Sequence, residues 1–256
     1  AYHDRDAGLK KGASFGGQAG RHVTSEGDWD DSSAWYRPRH TLHGHTGPVY
    51  GSDVSLDDRF VATAGEDGTV RLFSMETESY LLSLRGHTYP VWDVSWSLEG
   101  FYLATACYDG TARLWSMHHH YPLRMFVGHS GDVECVKFHP NSNYIVTGGA
   151  DRTVRLWDAG QGTLVRTFKG HTTGVTAVCV SADGNQIASG AENGEVLVWD
   201  IGKEARIREV AGHRETVTAL EFARVLGSGI LASGSVDCTM CVWDVHAPSG
   251  SDKGGA

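Results

Sequence analysis

A hydroxyl, an imidazole and a carboxylate at short spacing are the parts of a nucleophilic triad. This sequence carries such a set five times. The sets are His45, Thr63 and Asp67; His87, Thr105 and Asp109; His129, Thr147 and Asp151; His171, Ser189 and Asn193; and His213, Ser233 and Asp237. Each closes on an aromatic residue: Phe73, Trp115, Trp157, Trp199 and Trp243. A hydrolase needs one exposed nucleophile beside oxyanion donors, not five equivalent copies. The repetition points to a structural hydrogen-bond network instead. In it the Asp accepts from the His, the His meets the hydroxyl, and the hydroxyl meets the indole N–H. Leaving such a buried group unpaired costs about 1–3 kcal/mol. Phe73 has no N–H, so the first network is expected to end at Thr63. Asn193 is neutral, so the fourth is expected to lack a charged acceptor.

Other reactive residues are weaker candidates. Cys238-Thr-Met-Cys241 has metal or redox spacing, but no second Cys pair and no βα context accompany it. Packing in a strand is the expectation there. His118-His119-His120 falls in a loop and reads as solvated. No glycine-rich turn leads into a helix that would hold phosphate. No catalytic residue, metal or cofactor is expected.

The elements that position the recurrent set are themselves repeated. Gly-His falls at 44–45, 86–87, 128–129, 170–171 and 212–213, a spacing of 42 residues. The closing aromatic comes 28 residues after each His, except 30 after His213, and the two extra residues are placed at Ala223–Ile230. Alternating apolar residues rich in β-branched and aromatic types mark strands. In the second unit these are Val91–Ser97, Tyr102–Ala106, Thr111–Ser116 and Tyr121–Phe126. Asp67-Gly68, Asp109-Gly110 and Asn193-Gly194 mark tight turns. One such sheet cannot bury both its faces, so neighbouring units must stack.

The 256 residues are 40% hydrophobic with a net charge of -9, and no dense Lys/Arg run appears. That balance argues against a nucleic-acid footprint, and no apolar run is long enough for a helical membrane span. Five cysteines, an odd number, and no leader after Ala1 favour reduced thiols in an intracellular compartment. They are read as buried or half-buried side chains. Residues 1–38, rich in Gly, Ser and charge, read as a flexible linker or insertion; 39–245 hold the repeats; 246–256 read as a disordered tail.

Units of this length running from Gly-His to Trp-Asp resemble WD40 repeats across residues 41–245. The resemblance implies an all-β propeller with five recognisable blades, read as a fragment of a seven-bladed ring. A strand-like piece, Arg39–Leu42, could alternatively complete the last blade and close five. Three strings are more specific: GHTGPVYG (44–51), YPVWDVSWSLEGFYLATACYDGTARLW (89–115) and FHPNSNYIVTGGADRTVRLWD (138–158). They resemble the WD40 domains of the family formed by TFIID subunit 5 and its SAGA-type coactivator paralogue. Asp53 departs from the pattern, standing where a strand residue is usually apolar or small, and so does the last unit, with Cys238 and Cys241.

The resemblance implies a non-enzymatic nuclear scaffold that docks histone-fold subunits of a transcription complex, without sequence-specific nucleic-acid binding and without a membrane. In WD40 proteins the fifth residue after the motif His faces the top of the channel. Here that gives Tyr50, Trp92, Glu134, Thr176 and Thr218. The residue before the turn Asp or Asn adds Glu66, Tyr108 and Glu192. Tyr50, Trp92 and Tyr108, edged by Glu66, are expected to form one protein-binding patch, because aromatic residues dominate interface hot spots. Two rival readings are weaker. A ubiquitin-ligase receptor would carry Arg two residues after the motif Asp, where this chain has Glu76, His118, Gly160, Gly202 and His246. A propeller enzyme would need a non-repeating polar cluster.

Overall fold

The computed structural model describes residues 41–210 and 212–246. All of them belong to one compact unit, His40–Ala256. The expected linker at 1–38 lies outside the described residues, as does the tail beyond His246. Among the described residues, no helix is long and apolar enough to cross a membrane.

The described chain forms nineteen strands in five antiparallel sheets. Blade 1 holds β1 (Val49–Val54), β2 (Phe60–Gly65), β3 (Thr69–Ser74) and β4 (Ser79–Arg85). Blade 2 holds β5 (Val91–Trp96), β6 (Tyr102–Cys107), β7 (Thr111–Ser116) and β8 (Arg124–Val127). Blade 3 holds β9 (Val133–Phe138), β10 (Tyr144–Gly149), β11 (Thr153–Asp158) and β12 (Leu164–Lys169). Blade 4 holds β13 (Val175–Val180), β14 (Gln186–Ala191), β15 (Val196–Asp200) and β16 (Ala205–Val210). Among the described residues, blade 5 holds β17 (Val217–Phe222), β18 (Ile230–Ser235) and β19 (Met240–Asp244).

The expected strands of the second unit are present, but β8 starts at Arg124 rather than Tyr121. Pro122 has no N–H to give a ladder, which delays regular pairing. The lengthened turn is where it was placed: 223–229 separates β17 from β18, against 139–143 between β9 and β10. Thr41 and Leu42, the described part of the strand-like piece, join no strand.

The b–c turns need one residue at positive φ. Gly68 and Gly110 supply it at φ 71° and 77°, and Arg152 and Cys238 adopt it at φ 66° without glycine's freedom. Cys238 is therefore an exposed turn residue, which corrects its expected packing in a strand. Cys107, Cys135 and Cys179 are buried and Cys241 is half-buried.

The innermost strands pack in chain order, β1 on β5, β5 on β9, β9 on β13 and β13 on β17. Each interface pairs one blade's trailing face with the next one's leading face. Between blades 4 and 5, Ala188, Val196 and Val198 meet Val217, Leu220, Phe222 and Leu231 in one apolar cluster. Burying each such aliphatic side chain is worth about 1.5–3 kcal/mol. Among the described residues, the two ends of the series lack this cover. Val196 and Val198 are 0% exposed, whereas their counterparts in blade 5, Met240 and Val242, are 74% and 60% exposed. At the other end Val49 and Val54 are 50% and 48% exposed, against 0% and 6% for Val91 and Trp96 in blade 2.

Candidate protein-binding rim

The recurrent polar set lies inside the blades, as its repetition implied. Blade 3 shows the whole chain. Trp157 Nε1 donates to Thr147 Oγ1 at 2.8 Å, His129 Nε2 meets that hydroxyl at 2.7 Å, and His129 Nδ1 meets Asp151 Oδ1 at 2.9 Å. The Trp can only donate, so the hydroxyl hydrogen points to Nε2 and the neutral His donates from Nδ1 to the carboxylate. Burial lowers the pKa of His129, which keeps it neutral, though Asp151 pulls the other way. Burial would raise Asp151, but hydrogen bonds from Thr153 and His129 hold it below the usual carboxylate range.

The other blades vary on this theme. Blade 1 lacks the indole, and its network runs from Asp67 through His45 to Thr63 at 3.0 and 2.8 Å. Blade 5 is complete, with His213 to Asp237 at 3.2 Å, to Ser233 at 2.7 Å, and Trp243 to Ser233 at 2.8 Å. In blade 4 the expectation is corrected. His171 Nδ1 meets Glu195 Oε2 at 3.1 Å, so the fourth network keeps a charged acceptor. Ser189 and Trp199 complete it at 2.6 and 2.8 Å. Asn193 instead caps its own turn, accepting from the Glu195 amide and donating to Thr172.

Blade 2 breaks the chain. Trp115 and His87 both reach Thr105, at 3.0 and 2.8 Å, but His87 Nδ1 stands 3.8 Å from Asp109, too far for a hydrogen bond. That nitrogen is buried with no partner. The cause is the residue two before the turn acid. At Gly65 and Gly149 an added Cβ would lie 2.5 and 2.9 Å from the His Nδ1. Cys107 occupies this position in blade 2 and wedges His and Asp apart. The distance follows bulk: 3.0 and 2.9 Å with Gly65 and Gly149, 3.2 Å with Ser235, 3.8 Å with Cys107. Ala191 stands there in blade 4, where the longer Glu195 makes the contact.

Sequence reasoning missed further members. Thr69, Thr111, Thr153 and Thr239 each donate to their turn Asp at 2.6–2.7 Å. Arg71, Arg113 and Arg155 approach the same carboxylates at 3.7, 3.1 and 3.3 Å. Their signal was the Asp-x-Thr-x-Arg string in the first three units, replaced by Asn-x-Glu-x-Leu in the fourth.

Burial acts on the thiols of the three buried cysteines. Burial pushes the Cys107 thiol up to about 12 and raises Cys135 and Cys179 as well.

The five residues placed at the channel mouth do come together. Tyr50, Trp92, Glu134, Thr176 and Thr218 line one cavity of about 570 Å³. Its wall carries Asp93, Lys137 and Glu221 from the innermost strands. Asp53, the departure noted in the first unit, is a clamp between blades. Its carboxylate accepts from the Trp96 amide at 2.7 Å, and its carbonyl accepts from the Trp96 indole at 3.1 Å. Asp93 repeats this toward blade 3, accepting from the Val136 amide at 2.9 Å. Burial pushes Asp93 up to about 6, with Lys137 and two amides opposing. Burial acts to lower Lys137, but Asp93, Asp53 and Glu221 outweigh it and raise its pKa.

The rings form a run across the rim of blades 1 and 2. Tyr50 and Trp92 lie 4.7 Å apart, Trp92 and Tyr108 6.3 Å, and Tyr108 and Tyr89 5.9 Å. Tyr50, Tyr89 and Tyr108 remain 43–48% exposed. Tyr89 was not foreseen as a member, although it opens the YPVWD string. The indole N–H of Trp92 is buried without an acceptor.

Three expected members make further contacts. Thr176 donates its hydroxyl to the Val217 carbonyl at 2.5 Å, stitching blade 4 to blade 5. Glu66 and Glu192 are exposed on their turns and do not line the cavity. Their amides bond Pro48 and Gly174, each two residues before a channel-mouth position.

A model of the WD domain, G-beta repeat, matches residues 36–74, 78–116, 120–158, 162–200 and 204–244.

Proposed function

The chain belongs to the WD40-repeat family, whose repeats indicate a protein-interaction scaffold, and on that premise we propose that it is a non-enzymatic scaffold of a TFIID-type transcription complex. It works in the nucleus and docks histone-fold subunits while the general transcription factor assembles. The three strings at 44–51, 89–115 and 138–158 support this reading through their resemblance to the TFIID subunit 5 family.

The observation that carries a docking role is the ring run Tyr50, Trp92, Tyr108 and Tyr89. Rings packed against one another on strands and adjoining turns present large apolar area at little entropic cost, and interfaces concentrate their energy in such groups. Tyr108 is held because its amide bonds the Pro90 carbonyl at 3.0 Å, just ahead of β5. The rim is thus fixed before a partner arrives, which limits the ordering cost of binding.

The test is affinity purification of the tagged chain and of a Trp92→Ala, Tyr108→Ala variant, with co-purifying subunits identified. Recovery of TFIID subunits by the parent, lost in a variant that still unfolds cooperatively, is the expected result. Recovery of only SAGA-type subunits would move the chain to that complex. Undiminished recovery by the variant would remove the rim as the interface.

A further inference from the structure

We propose that blade 2 holds a divalent transition-metal ion between His87, Cys107 and Asp109. Their ligand atoms, Nδ1, Sγ and a carboxylate oxygen, all lie within 4.8 Å of one another. The His87 side chain is only 1% exposed, and its Nδ1 has no hydrogen-bond partner. Across the five blades, the one motif His whose Nδ1 is orphaned belongs to the one blade with a cysteine two before the turn acid. Gly65, Gly149, Ala191 and Ser235 occupy that place elsewhere. The wedge that breaks the His–Asp bond therefore leaves a thiol beside a free imidazole nitrogen.

The donor set selects the ion class. Imidazole, thiolate and carboxylate together suit zinc and its neighbours, and exclude magnesium and calcium, which take oxygen ligands. The partner that orients the imidazole is already in place. His87 Nε2 lies 2.8 Å from Thr105 Oγ1. With Nδ1 on the metal, Nε2 carries the hydrogen and donates it to that hydroxyl, whose own hydrogen rotates off the Nε2 axis; this is the usual second contact of a ligating His.

Loading removes one proton: the Cys107 thiol gives it to solvent and the sulfur takes the metal. The His87 hydrogen moves from Nδ1 to Nε2 without net release. The Cys107 thiol donates to the Tyr89 carbonyl at 3.6 Å, a contact given up when the sulfur takes the metal, and a water fills the fourth position. Arg113 donates to Asp109 at 3.1 Å and counts against a cation. Thiolate, carboxylate and guanidinium sum to one negative charge, so a divalent ion leaves a single positive charge on the cluster. Asp109 is 16% exposed at its turn, which gives the ion a way in.

No ligand motif of the usual kind is visible here, because the three residues come from a loop, a strand end and a turn.

The experiment is titration of the whole reduced chain with Co²⁺, followed by displacement with Zn²⁺. The expected result is one equivalent giving d–d bands and a thiolate charge-transfer band, both abolished by stoichiometric Zn²⁺. Cys107→Gly recreates the residue of blades 1 and 3, so it folds and should lose the charge-transfer band with at least a tenfold weaker affinity. Replacing His118, His119 and His120 by Ser should leave the signal unchanged. Absence of a thiolate band in the parent overturns the proposal, as does a band that survives in Cys107→Gly or disappears in the His118–His120 variant.

Discussion

Blades 2 and 3 carry the same four residue types at the same spacing, yet only blade 3 connects them all. His129 meets Asp151 at 2.9 Å, while His87 stands 3.8 Å from Asp109. The difference lies in neither member of the pair. It comes from Gly149 against Cys107, a residue outside the recurrent set whose side chain needs the space between imidazole and carboxylate. A hydrogen-bond network is thus set by the volume beside it as much as by its donors and acceptors.

The contrast can be broken most severely at the acids. Asp151→Ala removes the acceptor for His129, the Ser130 amide, Thr153 and Arg155. A loss of about 3 kcal/mol or more is expected, from several groups left unpaired at about 1–3 kcal/mol each. Asp109→Ala removes only the contacts to Thr111 and Arg113, and should cost about half as much. Urea unfolding midpoints at equal m-values measure both, and equal midpoints would refute the contrast.

A smaller change converts one blade toward the other. Gly149→Ala places a Cβ 2.9 Å from His129 Nδ1 and 2.7 Å from the Asp132 carbonyl. It should destabilise by about 1–3 kcal/mol through crowding and a weakened His–Asp bond. Unchanged thermal stability would mean that bulk at this position does not set the pairing.

The smallest effect is read by protons. Burial lowers the pKa of His87, His129 and His171 below their unfolded values. The unfolded chain then takes up protons first as pH falls, so stability is full above about pH 6.5 and declines below it. Asp67 and Asp151, held low, add a second loss below about pH 4. Unfolding midpoints between pH 7.5 and 5.5 should fall in the parent and fall less in His129→Gln. A flat parent profile would contradict this.

Much of the architecture was legible because it was written five times. The Gly-His spacing, the closing aromatics and the lengthened turn before Ile230 all follow from counting. The channel-mouth set was legible too, since fixed offsets in stacked blades converge on one cavity. What escaped were exchanges within a blade. Asn193 and Glu195 trade the roles that Asp151 and Thr153 hold, so the acceptor moved two residues while the turn kept its outline. Asp53 read as an anomaly because its partner, the Trp96 amide, lies 43 residues away. Thr176 read as a channel-mouth residue without a role between blades, because nothing in its neighbourhood announces the Val217 carbonyl. Each miss depends on a contact between units or on a volume, and periodicity reports neither.

The uncovered faces of blades 1 and 5 bear on how the molecule comes apart. A stack of repeats behaves as a one-dimensional lattice, in which each unit owes its persistence to its own sheet and to its couplings with adjacent units. Among the described residues, blades 2, 3 and 4 have two such couplings and the terminal blades one. Blade 5 also has one strand fewer among the described residues. Opening therefore starts at the two termini of the stack and proceeds inward, with blade 3 the last to lose its amide protection.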